Sequence, residues 1–542
     1  MASTAEFPAA SSRAPSPGTA VTEGQRWHVS SRTFYTGLAV AALVVAAISL
    51  LVPSTPSYDP WAWIVWGREV VHLNLHTTGG PSWKPLPMVF TTIFALFGKA
   101  APDLWLVIAR AGAVAAVVMV FRLSFRLTRR IGSWFTTAAD VDRLVAFIPA
   151  LLAGAIAAVG LAFSGGFISD NALGYSEGLA AAVILIAVDR HLDGHPRQAF
   201  AMGFLAALDR PEIWLFWGPY GLWLFWRDAG ARRLVIGLFV LIPVFWFLPE
   251  YWGSGQFLRG VSRARHPRSN SLAFAHCPFC SELVNAAWPT ILLRIKLAAA
   301  VLVLAVAGLS WRASRRQGMA ALREPSRHAQ IVAALTGLGG LAWFVVVAVM
   351  TQAGFSGNNR YLVIGSALVE VCGAVAWGWA AQEIGNLAAR VAGRGRATAG
   401  RWLAPGGYAV ALAAFVMLPG FVGANLISIQ RMHRSLVYQA HLRQGVTRLV
   451  AQYGGAAKVL SCGTVMTEGF QVPMVAWTLG VHTAVIEAPP AEGGELPPAP
   501  NVILQTRDTR HASLLPAVHS WPETQYTYVG TSGPFRMFTH CT

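Results

Sequence analysis

Apolar runs recur along the chain at lengths near those needed to cross a bilayer, and short polar, mostly basic stretches separate them. A spanning helix needs about 20 mainly apolar residues. By that measure, candidate spans lie near 33–53, 104–121, 144–163, 176–189, 198–209, 211–226, 234–251, 290–310, 329–350, 361–383 and 403–427. The pattern predicts an all-α polytopic membrane protein with about 11 transmembrane helices. The pair of short runs around Asp209-Arg210-Pro211-Glu212 reads as a broken or re-entrant element, tolerated where it faces protein or a water-filled cavity. Residues 1–31 are rich in Ser, Pro, Ala and Thr without apolar periodicity, so a disordered cytoplasmic tail is expected. The first run is read as a retained helix because no small-residue cleavage site follows it.

Two long connections stand out, 54–103 and 252–289. In the first, Asp59-Pro60 reads as a helix start, with a carboxylate cap and Pro at the first helical position. Arg68 and His72 then share a face at i, i+4, and Trp61, Trp63 and Trp66 supply apolar surface, which predicts a helix lying in the interfacial plane. A second short helix is expected near Leu86–Phe97. From about 428 the composition changes, and a small extracytoplasmic α/β domain is predicted over 428–542. Its expected elements are a helix at 437–453, strands at 458–462, 483–487 and 501–504, a short helix at 473–480 and β structure over 526–540.

Composition agrees with lipid as the main solvent. Charged residues are 12% and hydrophobic residues 54% of 542, against roughly 25% charged in soluble chains. The net charge of +17 does not point to nucleic acid, because the basic residues cluster in the short loops at 122–143, 227–233, 312–327 and 390–401. That is the positive-inside pattern, and it predicts a plasma-membrane protein with its amino end cytoplasmic and its C-terminal domain outside. Loop 252–289 breaks the pattern with Arg259, Arg263, Arg265 and Arg268 on the outer side. Of the 42 basic residues only Lys84, Lys99, Lys296 and Lys458 are Lys; this Arg bias, with abundant Ala and Gly, fits a GC-rich genome of the actinobacterial kind.

The residues able to carry chemistry fall at the predicted outer ends of spans. A carboxylate where the first span leaves the bilayer is costly unless it has a function. Asp59 is therefore a candidate general base, or simply a helix cap. Asp170 and Glu177 occupy a second outer turn, where they can bind acceptor hydroxyls, help hold a divalent metal, or serve as a solvated turn and a helix-start carboxylate. Arg210 and Glu212 line a cavity or pair internally at the break. Arg360 and Tyr361 sit in the outer Asn-Asn-Arg-Tyr turn, and a guanidinium is suited to bidentate phosphate binding. Lys84 and Arg259 are the next phosphate candidates, with snorkelling to headgroups as the plainer role. Cys277 and Cys280 read as a local disulfide, with a zinc site including His266 and His276 or a thiol–disulfide motif as alternatives. A Cys462–Cys541 bridge would tie the tail domain to the chain end.

The acid after the first span (Asp59), the second acidic turn (Glu177), the Arg-Pro-Glu corner (Arg210–Glu212) and the outer Asn-Arg-Tyr turn (Asn359–Tyr361) together resemble the GT-C superfamily of membrane glycosyltransferases. The overall plan is similar to the actinobacterial mannosyl- and arabinofuranosyltransferases. The resemblance covers about 33–427. It implies a polyprenyl-phosphate-linked sugar donor, a glycan, lipid or protein acceptor at the outer face, and Asp59 as base in an inverting transfer. One acid in the first loop, where some members have an adjacent pair, leaves a divalent metal (Mg or Mn) open. The rival classes are a transporter or flippase of lipid-linked saccharide and, on Cys277 and Cys280 alone, a thiol oxidoreductase.

Overall fold

The computed structural model describes residues 30–131, 143–267, 271–287, 293–318, 322, 324–393, 418–490 and 494–541. The chain is mostly helical, with one small sheet at its carboxyl end. In order, the helices are α1 (Ser31–Ser49), α2 (Tyr58–Val71), α3 (Pro85–Ala95), α4 (Ala101–Arg130), α5 (Arg143–Ala162), α6 (Phe167–Ala172), α7 (Glu177–Leu192), α8 (Pro196–Ala207) and α9 (Trp214–Arg227). They continue with α10 (Arg232–Ser254), α11 (Arg259–Ala264), α12 (Pro278–Ala287), α13 (Leu293–Gln317), α14 (Pro325–Gln352), α15 (Val363–Gly393) and α16 (Leu418–Gln452). The last two are α17 (Ala456–Cys462) and α18 (Val472–Leu479).

Among the described residues, six helical stretches are long and apolar enough to cross a membrane; they contain α1, α4, α10, α13, α14 and α15. The apolar runs at 144–163, 176–189, 198–209 and 211–226 form the shorter α5, α7, α8 and α9. Most of the run at 403–427 lies outside the described residues, as does the polar tail before Ser30. Exposed faces of the long helices remain apolar, as with Val40, Val44 and Ile48 on α1 and Val301 and Leu304 on α13. Such surface is stable only against lipid or another apolar partner.

Close helix packing uses small residues where backbones meet. A Cβ on Gly112 of α4 would lie 2.6 Å from the Leu179 backbone of α7, and one on Gly340 of α14 would lie 2.6 Å from the Gly365 carbonyl oxygen of α15. At one end of the bundle an ion network fastens α1, α4 and α7. Asp189, fully buried, accepts from Tyr35, Arg122 and Arg126, while Asp193 pairs with Arg126 and Arg190. The C-terminal domain and all the candidate chemistry lie at the other end.

That domain has a five-stranded mixed sheet in the order β2-β1-β3-β5-β4, with β1 Val465–Thr467, β2 Ile486–Glu487, β3 Val502–Gln505, β4 Thr527–Ser532 and β5 Phe535–Thr539. β1 runs parallel to β2 and β3, while β5 is antiparallel to β3 and β4. The segment 458–462, expected as a strand, belongs instead to α17, and the strand follows it after Gly463. A five-residue apolar run does not by itself distinguish strand from helix. Only the last two residues of the expected strand 483–487 are extended, after a short 3-10 turn. The helix expected from Val437 is the second half of α16, which runs without a break through position 428.

The structure corrects the reading of α2. It does not lie on lipid: Trp61, Trp63, Ile64, Val65 and Trp66 are buried, in one apolar cluster with Val475, Leu479 and other residues of the C-terminal domain. Arg68 donates to the carbonyl oxygens of Val481 (2.7 Å) and Trp477 (3.5 Å), and Glu69 accepts from His482 Nδ1 at 2.9 Å. Arg443 of α16 pairs with Asp103 at 2.7 Å. The apolar surface that suggested a lipid-facing helix is covered by a domain that begins more than 300 residues later.

Candidate active site

Four segments far apart in sequence meet at the domain-side end of the bundle. The first is the start of α2. The helix opens at Tyr58 after Ser57, so Asp59 lies inside the first turn and does not cap it. Its carboxylate turns sideways and accepts from Arg360 Nη2 at 2.7 Å. The cap role considered for Asp59 is thereby replaced by an ion pair with a residue 301 positions away.

The second segment joins α6 to α7. Gly174 takes a left-handed conformation, φ +84°, that a side chain disfavours, and its carbonyl accepts from Trp105 Nε1 at 2.8 Å. Ser57 N–H donates to the Leu173 carbonyl at 2.9 Å, which ties this turn to the start of α2. The turn presents Asp170, Tyr175, Ser176 and Glu177. Burial raises the Asp170 carboxyl to about 7; the Arg360 guanidinium draws it back part of the way and Glu177 adds to the rise.

The third segment is the break between α8 and α9. Leaving the helix frees backbone acceptors, and the structure supplies donors for them. Ala207 carbonyl accepts from both Trp214 and Trp246 Nε1 at 3.1 Å, and Leu208 carbonyl accepts from Leu86 N–H at 3.0 Å. The last bond draws the start of α3, and with it Lys84, against the Asp209–Glu212 corner.

The fourth is the 3-10 turn Asn359–Leu362 ahead of α15, pinned by Trp343 Nε1 on the Tyr361 carbonyl at 2.7 Å. It delivers Arg360 and Tyr361.

Glu177 is the hub of the cluster. Its Oε1 accepts from Arg210 Nη2, lies 3.5 Å from Lys84 Nζ and is 3.9 Å from Arg360 Nε. Only 2% of its side chain is exposed, and its nearest charged neighbours are three cations. Lys84 also donates to Ser176 Oγ at 3.1 Å and sits 5.2 Å from the Trp63 ring centre. The two guanidiniums are stacked on tyrosines. Arg360 lies 3.9 Å from the Tyr175 ring and 5.3 Å from that of Tyr361, and Arg210 lies 4.0 Å from Tyr361. Glu212 Oε1 is 3.7 Å from Arg210. Arg360 Nη1, Arg210 Nε, Glu177 Oε2 and Glu212 Oε2 are buried and make no hydrogen bond within the protein. Two cationic groups with buried unused donors form a ready anion site.

Sequence reasoning named Asp59, Lys84, Asp170, Glu177, Arg210, Glu212, Arg360 and Tyr361, and the structure brings these eight together. Three others lie elsewhere. Arg68 docks α2 against the C-terminal domain, and His72 is exposed, hydrogen-bonding the Arg68 carbonyl at 2.7 Å through Nδ1. Arg259 is buried, donates to the carbonyls of Thr78, Gly80 and Pro81, and lies 3.8 Å from Glu250, so it braces the loop before Lys84 and is not available to phosphate. Tyr175 was missed. One tyrosine beside an acidic turn carries no local mark of the guanidinium that will stack on it.

Cys277–Cys280 and Cys462–Cys541 are disulfides, and Cys372 is a buried free thiol. A zinc site using the two thiolates of the first pair is therefore not formed. A divalent metal fits the cluster poorly. Glu177 is already shared by three cations and Asp59 by one, and among the described residues no three His, Cys, Asp or Glu side chains converge as a ligand set.

No protein-family model matches the chain, and no curated protein does so significantly. Among solved structures the chain is similar to the crystal structure of ArnT from Cupriavidus metallidurans in the apo state, at 16% identity and a TM-score of 0.47, covering 94% of this chain and 98% of that one. A likeness at this level carries no function with it.

Proposed function

We propose that the protein is an integral membrane glycosyltransferase of GT-C type, moving a sugar from a polyprenyl-phosphate donor to an acceptor hydroxyl at the outer face of the membrane. One observation carries the reading: a carboxylate, Asp59, is held 2.7 Å from an arginine whose neighbours Lys84 and Arg210 complete a buried cationic cluster. Base and phosphate site are adjacent, as transfer from a phosphodiester requires.

In this reading the donor phosphate binds at Arg360, with Arg210 and Lys84 nearby. The acceptor oxygen attacks the anomeric carbon from the face opposite the phosphate, so configuration inverts. The acceptor O–H proton passes to Asp59, and the anomeric C–O bond breaks with its electron pair leaving on the polyprenyl phosphate. The prenyl chain has an apolar lane available. An open apolar groove of about 480 Å³ is lined by Pro243, Val244, Phe247, Leu248, Phe257 and Leu258, close in sequence to Phe245, whose carbonyl accepts from Trp83 beside Lys84. The likeness of the motifs to actinobacterial mannosyl- and arabinofuranosyltransferases makes a mannose and an arabinofuranose the first donors to assay, with envelope glycans as acceptors.

The test is transfer by purified protein in lipid with synthetic polyprenyl-phosphate sugars. Asp59→Asn should lower the rate by about 10²–10⁴-fold with membrane insertion and helical content retained. Full activity in that variant removes Asp59 from the mechanism. Movement of intact donor across the bilayer without a covalent product would favour a flippase.

A further inference from the structure

A phosphate held bidentately by Arg360 needs Nη2 as well as the unused Nη1, and Nη2 is already given to Asp59. Nη2 is given to Asp59, Nε faces Glu177 at 3.9 Å, and Nη1 is buried without a hydrogen bond. Its guanidinium lies 3.9 Å from the Tyr175 ring centre and 5.3 Å from that of Tyr361, contacts that hold it in position. In the ligand-free chain the Asp59 carboxylate is therefore engaged by the same guanidinium that is proposed to bind phosphate.

We infer that Arg360 exchanges partners: the donor phosphate takes the guanidinium edge that Asp59 occupies, and Asp59 becomes free to accept a proton only when donor is bound. Tyr175 and Tyr361 are positioning residues that hold the guanidinium plane through the exchange. The order of events follows. Donor must enter before acceptor is activated, and the empty site does not deprotonate the hydroxyl groups that reach it. This inference rests on the donor class proposed above and adds the coupling between phosphate binding and release of Asp59 from Arg360.

Binding of undecaprenyl phosphate, the leaving group of such a transfer, reads the exchange without knowledge of sugar or acceptor. Full-length protein in nanodiscs would be titrated with this lipid. Because Asp59 competes with the phosphate for Arg360, Asp59→Asn should bind about tenfold more tightly than wild type. Titrated at pH 8.5, where the Asp170 carboxyl is ionised, Asp170→Asn removes a charge from the same cluster without a direct bond to Arg360 and should tighten binding less than about threefold. Arg360→Lys keeps the charge but loses the planar fork, and should weaken binding about tenfold or more. Tyr175→Ala should weaken it too, while Tyr175→Phe, which keeps the ring, should bind within about twofold of wild type.

Equal or weaker binding by Asp59→Asn overturns the exchange while leaving the donor class intact. So does an effect of Asp170→Asn as large as that of Asp59→Asn, since bulk charge would then explain both. If wild type and Asp59→Asn, each with a normal melting temperature, both fail to bind the lipid, the polyprenyl-phosphate reading falls and the exchange with it.

Discussion

Glu177 offers the sharpest test of how the cluster is built, because one fully enclosed carboxylate faces Lys84, Arg210 and Arg360. At 3.5 Å and an effective dielectric near 20, one such pair attracts by roughly 4 kcal/mol before desolvation is counted. Without Glu177 three cations share a pocket whose remaining acidic neighbours are Asp59, Asp209 and Glu212. Removing one partner of a buried pair typically costs about 3–5 kcal/mol, since the other charge is left uncompensated. Glu177→Gln preserves shape and deletes only the charge. It should lower the melting temperature of the purified protein by about 3–4 °C. The reasoning also predicts coupling: Arg210→Gln should cost at least about 1 kcal/mol less in the Glu177→Gln background than alone, because the cation it removes is then unpaired. Melting curves in detergent for the wild type, both single variants and the double variant complete the cycle. A Glu177→Gln variant within about 0.5 kcal/mol of wild type, or strictly additive variants, would refute the role of Glu177 as shared counter-ion.

Three further expectations follow from other parts of the molecule. Asp170 holds its proton to about pH 7 in the folded chain and loses it near 4 when unfolded, so stability should fall as pH rises through that window with a slope of about one proton; Asp170→Asn should flatten the dependence in melts at stepped pH. Arg68→Ala deletes the bonds to Val481 and Trp477, at a cost of about 1.5–3 kcal/mol for charged hydrogen bonds, and should raise hydrogen exchange across α18 without changing exchange in α15. Opening the Cys462–Cys541 bridge, whose partners lie 79 residues apart, should destabilise the C-terminal domain by roughly 4.5 kcal/mol in the chain-entropy account; Cys277→Ser with Cys280→Ser, only 3 apart, should leave transfer within about twofold and so dispose of a thiol-based activity.

What the amino-acid order determined by itself was everything that depends on local chemistry in an apolar setting. Runs of apolar residues mark the helices because a backbone in lipid must satisfy its own hydrogen bonds. Asp59, Glu177, Arg210 and Arg360 stood out because charge beside such runs is costly without a partner or a task. The turn before α7 and the break at Pro211 were legible for the same reason. Roles were a different matter. Glu177 looked like a ligand and has three cations as its nearest charged neighbours; Arg259 looked like a phosphate group's partner and holds backbone carbonyls. The face of α2 that seemed made for lipid is covered by α18, and Tyr175 had no mark at all until Arg360 stacked on it. Partner choice is set by which distant segments the fold brings within about 4 Å, and Coulomb and hydrogen-bond energies fall off too steeply with distance for composition or spacing to report it.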